Sequence, residues 1–156
     1  MYKVSFKDDF KKVERFNNKV TKVTLKGSIN DLFTPDGLDV PRPIIDWMID
    51  SWGDTVTIEV SGIAVRNDKD KDDPVLGERL AEARAKLKIY KLMKTFCYKM
   101  LEYYAQKLYG IKTNNTITVK ASEQESYDDS LLNAYKKYDR LIDVENTHIK
   151  QLLYDY

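Results

Sequence analysis

Cys97 and His148 are the only cysteine and the only histidine in the chain, so nucleophile–base chemistry would have to use this pair. Cys97 falls on the apolar face of a long helical stretch, where a thiol is normally neutral and buried. His148 lies off the apolar stripe of its own segment, and neither placement prepares a nucleophile. The carboxylates are numerous but cluster in loops, with no spacing that singles out an acid–base pair. The densest cluster, Asp68, Asp70, Asp72 and Asp73, opens like a calcium loop with oxygen ligands at alternate positions. A calcium loop starting at Asp68 needs glycine where Asp73 stands and glutamate where Arg79 stands. A glycine-rich phosphate loop and a cysteine–histidine metal cluster are both missing from the sequence. The residues therefore predict no catalytic group, no metal and no cofactor.

Binding chemistry is better supplied. The chain carries eleven tyrosines, most of them in its C-terminal half. A tyrosine ring buries a large area while its hydroxyl stays wet, which suits semi-exposed packing and interfaces. Trp47, Trp52, Tyr98, Tyr103, Tyr109 and Tyr138 are the candidate partner-binding residues. The competing assignment packs the tyrosines between helices and the tryptophans over a sheet. Arg79, Arg84, Lys88 and Lys91 lie beside the apolar stripe of the long helix and could contact phosphates, making nucleic-acid binding the alternative function. Set against it is a solvated face whose charges balance the acidic segments on either side.

These residues need elements to position them. Pro74 to Gly110 predicts one long helix, with neither glycine nor proline between Glu78 and Tyr109. Leu76, Leu80, Ala83, Leu87, Tyr90, Lys94, Cys97 and Leu101 alternate at four and three, and Met93, Phe96, Met100 and Tyr103 widen the stripe. Asp72 or Asp73 should cap its start with Pro74 in the first turn, and Gly110 should end it. A second long helix should begin near Asp128 or Asp129, with Leu131, Tyr135, Tyr138, Ile142, Glu145, Ile149 and Leu152 on one face. Lys94 and Glu145 interrupt the two stripes, so a contact between them is a candidate ion pair.

Strands are expected at 19–26, 55–65 and 116–121, with Gly62 marking a bulge that shifts the phase of Ile63 and Val65. Phe10, Val13 and Phe16 at spacings of three favour a short helix from Asp8 or Asp9. The competing arrangement is a strand turned through Asn17-Asn18 into the next one. Residues 27–53 form a loop and short-helix insertion, with a helix from Pro43 to Trp52. The fold class is α+β: a small sheet packed by one long helix, with a second long C-terminal helix. At 156 residues a single domain is expected, sheet-rich over 1–73 and helix-rich over 74–156.

The chain is 42% apolar and 33% charged, as a globule should be. A net charge of +1 excludes an acidic mimic of nucleic acid and a strongly basic coat protein. Regionally the charge alternates: positive over 1–30, negative over 31–75, positive over 76–120 and negative over 121–156. Adjacent segments of opposite sign can pack without much repulsion. One cysteine rules out an intrachain disulfide and suits a reducing compartment. Met1 to Phe6 lacks a signal-peptide core, and no stretch approaches the roughly 18 apolar residues of a membrane span. A cytoplasmic location without membrane contact is expected. The long helix reaches about 50 Å, more than a compact domain of this size spans, so an uncovered end would favour a homodimer.

Ser61-Gly62-Ile63-Ala64-Val65, the aspartate-rich turn, Gly77-Glu78-Arg79-Leu80-Ala81 and Arg84-Ala85-Lys86-Leu87-Lys88 together resemble a pattern of small uncharacterised bacteriophage proteins. In those a strand leads through an acidic turn into a helix reading G-x-x-L-A-x-x-R-A-x-x-K. The resemblance covers about 30 of the 156 residues, and generic helix formers make up much of it. It implies an α+β phage protein in the host cytoplasm, acting by binding a host or defence protein, and it brings no catalytic residues.

Overall fold

The computed structural model describes residues 4–29, 40–53, 57–66, 73–109 and 121–154, with side chains at 104–109 and 121–129 left out of the description. Strands β1 (Phe6–Phe16), β2 (Val20–Ile29) and β3 (Thr57–Val65) form one antiparallel sheet in the order β1-β2-β3. Helices α1 (Arg42–Trp52), α2 (Pro74–Tyr109) and α3 (Ala121–Tyr154) complete the α+β fold.

The first correction falls on residues 8–16, which form a strand and not a helix. Asn17 and Asn18 both adopt positive φ, at 53° and 56°, so the hairpin turn is built from residues that tolerate left-handed backbone. The bulge also moves. Pairing of β2 with β3 runs without interruption from Val20–Val65 to Ser28–Thr57, so Gly62 causes no phase shift. The irregularity sits in β1 instead, where Asp9 is an extra residue between the Asp8–Gly27 and Phe10–Lys26 pairs. Phe6 and Asp8 therefore share the helix-facing side with Lys11 and Val13, while Phe10, Lys12, Glu14 and Phe16 lie on the other.

Gly62 serves a different purpose. A Cβ there would stand 2.5 Å from the Ala85 nitrogen and closer still to the Ala81 carbonyl oxygen. Ala81 and Ala85 are fully buried, so small residues on both elements bring the α2 backbone down onto β3. Val23, Leu25, Ile58 and Ala64 from the sheet, with Ile89, Met93, Phe96 and Met100 from the helix, continue the core.

The predicted N-terminal boundary of α2 holds: Asp73 Oδ1 accepts the Leu76 N–H at 3.0 Å, and Pro74 is the first helical residue. Helix α3 starts at Ala121, earlier than Asp128, so a strand ending at Ala121 is excluded there. The expected strand residues 116–120, the calcium-like run at 67–72 and the capping Gly110 lie outside the described residues. Helix α1 begins beside Pro43 as predicted and ends at Gly53, whose φ of 80° closes it in the left-handed region. Ile44 and Met48 are its buried residues, and Ile49 points outward.

If the Gly62 contact seats the long helix, Gly62→Ala should cost at least about 3 kcal/mol, because backbone atoms cannot move aside for a methyl. Denaturant unfolding measures it. A loss below about 1 kcal/mol would mean that helix and strand stand further apart.

Candidate functional site

Helices α2 and α3 run antiparallel, and their register is set by residue pairs in steps of four. Lys94 Nζ donates to Asp139 Oδ1 at 2.7 Å. One turn further along α2, the Tyr98 and Tyr135 rings lie 6.3 Å apart. The expected Lys94–Glu145 pair is therefore replaced by Lys94–Asp139, since Glu145 falls well over a turn further along α3. Glu145 is buried, and its Oε1 lies 3.0 Å from His148 Nδ1.

Tyr98 and Leu132 stand exposed on this seam, at 55% and 40%. Two adjoining surface depressions meet at Tyr98 and Tyr135. One, about 420 Å³, is flanked by Lys91, Lys94, Thr95 and Ile142; the other, about 380 Å³, by Leu101, Glu102 and Leu132. The Lys94 ammonium stands 5.5 Å from the centre of the Tyr135 ring, and its hydrogen bond to Asp139 holds its pKa above the ordinary lysine value. The seam thus offers an aromatic and aliphatic ridge with Lys91 and the Asp139-paired Lys94 at one end and Glu102 at the other.

The other predicted partner-binding residues are dispersed. Trp47 and Trp52 form an edge-to-face pair at 5.2 Å on α1, both half-buried, with the Lys99 ammonium 5.3 Å from the Trp47 ring. Trp52 Nε1 is buried with no acceptor among the described residues. Tyr103 is half-buried against the core. Tyr109 closes α2, but its side chain lies outside the description.

Tyr138 has no surface to offer, being 2% exposed. Its hydroxyl accepts the Phe6 N–H at 2.9 Å, tying the start of β1 to α3, and its ring lies 6.0 Å from that of Tyr90. Sequence spacing placed Tyr138 on the right stripe, but no local signal showed that its hydroxyl would be used internally.

The basic residues are divided as well. Arg84 Nη1 donates to the Ile63 carbonyl at 2.7 Å, and Lys88 Nζ to the Ser61 carbonyl at 2.6 Å. Ile63 and Ser61 lie on the outer edge of β3, so these two cations satisfy strand-edge acceptors. Arg79, Lys91 and Lys88 itself are exposed, and Arg84 is half-buried. Sequence reasoning could not have found the Arg84 and Lys88 roles without the strand order.

Cys97 is buried, and burial pushes its thiol from 9.0 up to about 12. His148 is displaced along α3 by about 20 Å from the Tyr135 level that faces Tyr98 beside Cys97, so the two do not meet. Among the described residues, no group of three or more histidine, cysteine or acidic side chains could hold a metal ion. Among them, too, no helix is long and apolar enough to cross a membrane. Comparison with known proteins finds no matching family model, no matching curated protein and no matching solved structure.

Burial raises Tyr138 as well, from 10.0 up to about 12, against a smaller lowering by the Phe6 N–H. For both groups the folded chain holds the proton more tightly than the unfolded chain does. Their contribution is complete below the ordinary values and should fall away as pH rises from about 9 through 12. Tyr138→Phe should cost about 1 kcal/mol at neutral pH, by orphaning the Phe6 N–H, and should flatten the alkaline decline. Urea midpoints from pH 7 to 12 read both effects; an unchanged slope would contradict the assigned burial.

Proposed function

We propose that this chain is a non-catalytic binding protein that engages a partner protein through its helical half, at the Tyr98–Leu132 ridge. The observation that supports it most is the exposure of these two large side chains together, over depressions walled by the Lys94–Asp139 pair and the Tyr135 ring, which is tilted against Tyr98. Exposed aromatic and aliphatic anchors on a rigid helix pair suit a partner's hydrophobic hot spot, with Lys91 and Glu102 at the polar rim. The resemblance to small bacteriophage proteins extends the proposal: the partner is a host or defence protein met in the bacterial cytoplasm. Nucleic-acid binding is the weaker proposal, because Arg84 and Lys88 each commit a donor to a β3 carbonyl, although Lys88 stays exposed beside Arg79 and Lys91.

Affinity capture from a bacterial lysate, with and without nuclease, tests the proposal. Capture of a defined protein should survive nuclease, and Tyr98→Ala with Leu132→Asp should weaken it about tenfold or more. Capture that disappears with nuclease and falls steeply with salt would instead support the nucleic-acid alternative. Capture indifferent to the double substitution would remove the ridge from the interface.

A further inference from the structure

Among the described residues, β1 has a strand neighbour on one side only. The backbone groups it turns outward can be traced across the sheet. Arg84 and Lys88 reach the carbonyls of Ile63 and Ser61 from outside, so Val60, Gly62 and Ala64 turn theirs toward β2. Their β2 partners Leu25, Val23 and Thr21 therefore face β3, which leaves Lys22, Thr24 and Lys26 facing β1. Opposite these stand Glu14, Lys12 and Phe10, bonded inward, so Lys11, Val13 and Arg15 face the outer edge. The same alternation turns the Phe6 N–H outward, where Tyr138 accepts it. With that end taken and the bulge at Asp9, the regular stretch of edge runs from Phe10 to Phe16, centred on Val13.

That stretch is complementary to itself. We propose that a second copy of this chain adds to this edge, β1 against β1 and antiparallel about a two-fold axis at Val13, making one six-stranded sheet. In this register Phe10 lies opposite Phe16 of the second copy, and Lys12 lies opposite Glu14 of the second copy, each pair occurring twice. Phe10 and Phe16 are 52% and 47% exposed on the side of the sheet away from α2, and pairing covers each with the other.

The Val13 side chains, 40% exposed, meet at the axis. Lys11 falls opposite Arg15 of the second copy, but its charge is already balanced by Glu78 and Glu82 at 3.0 and 2.9 Å. Neighbouring registers lose the match. An axis at Lys12 sets that lysine against itself and Phe10 against Glu14; an axis at Glu14 sets that carboxylate against itself. Lysines and bulges normally guard a strand edge against such pairing. Here the bulge lies outside the paired stretch, and the lysine on the open side, whose Nζ stands 3.7 Å from Glu14 Oε1 of its own chain, gains a second glutamate across the axis.

Sedimentation equilibrium of the full chain over a concentration series tests the proposal. The chain should form dimers, and Lys12→Glu or Glu14→Lys alone should each weaken them about tenfold or more by opposing like charges in both pairs. An equimolar mixture of the two variants should regain the dimer, because each cross-strand pair is then Glu against Lys. Glu14→Lys also faces Lys22 within the hairpin, so Val13→Cys supplies a second readout. Paired residues there lie about 5.5 Å apart at Cα, within disulfide reach, and mild oxidation should link two copies covalently. The buried Cys97 does not compete. A chain that stays monomeric, a dimer indifferent to both charge variants, or a Val13→Cys chain that does not crosslink would overturn the proposal.

Discussion

The backbone-to-backbone seat of α2 on β3 at Gly62 is the constraint from which the other contacts follow. A helix held one side chain's width above a sheet would leave a gap to be filled by larger residues. With Ala81 and Ala85 against Gly62, α2 lies low enough for Arg84 and Lys88 to reach around the edge and bond the Ser61 and Ile63 carbonyls. The edge of β3 is thereby satisfied by the helix covering its face, and Lys11 is drawn to Glu78 and Glu82 at the opposite margin. Apolar residues then occupy two sides of α2, one for the sheet and one for α3. Leu80, Ala81, Ala83 and Ala85 are accordingly all buried within a single stretch.

Helix α3 uses the second side and passes the constraint back to the sheet. Its buried residues Leu131, Ala134 and Tyr138 line the seam, and Tyr138 carries a hydrogen bond across to the start of β1. The ridge at Tyr98 and Leu132 is what this packing leaves over: large side chains whose neighbours are fixed but whose outer faces remain in water. Sheet, central helix and outer helix thus form layers, with candidate binding chemistry on the helical side and, at the far margin of the sheet, a strand with one strand neighbour among the described residues.

The long helix was legible because its pattern is local. An unbroken run without glycine or proline, bounded by Asp73-Pro74, admits few alternatives, and the C-terminal helix was recognised by its stripe if not by its start. Strand β1 misled for a physical reason. It is exposed on both faces over most of its length, so no apolar alternation marks it, and Phe10, Val13 and Phe16 mimic a helical spacing. The roles of Arg84, Lys88 and Tyr138, and the partner of Lys94, depend on strand order and helix register, which no local signal encodes. Of the candidate partner-binding residues, Tyr98, which lies outside the α2 stripe, is exposed, while Tyr138, on the α3 stripe, belongs to the core.

Native-state amide hydrogen exchange would test the layered account most directly. If α2 is clamped between sheet and α3, the amides of residues 81–100 should exchange only through global unfolding, at the same free energy as those of β2 and β3. Exchange of that stretch through a separate, lower-energy opening, while the sheet stays protected, would contradict the seat at Gly62 and the arrangement built on it.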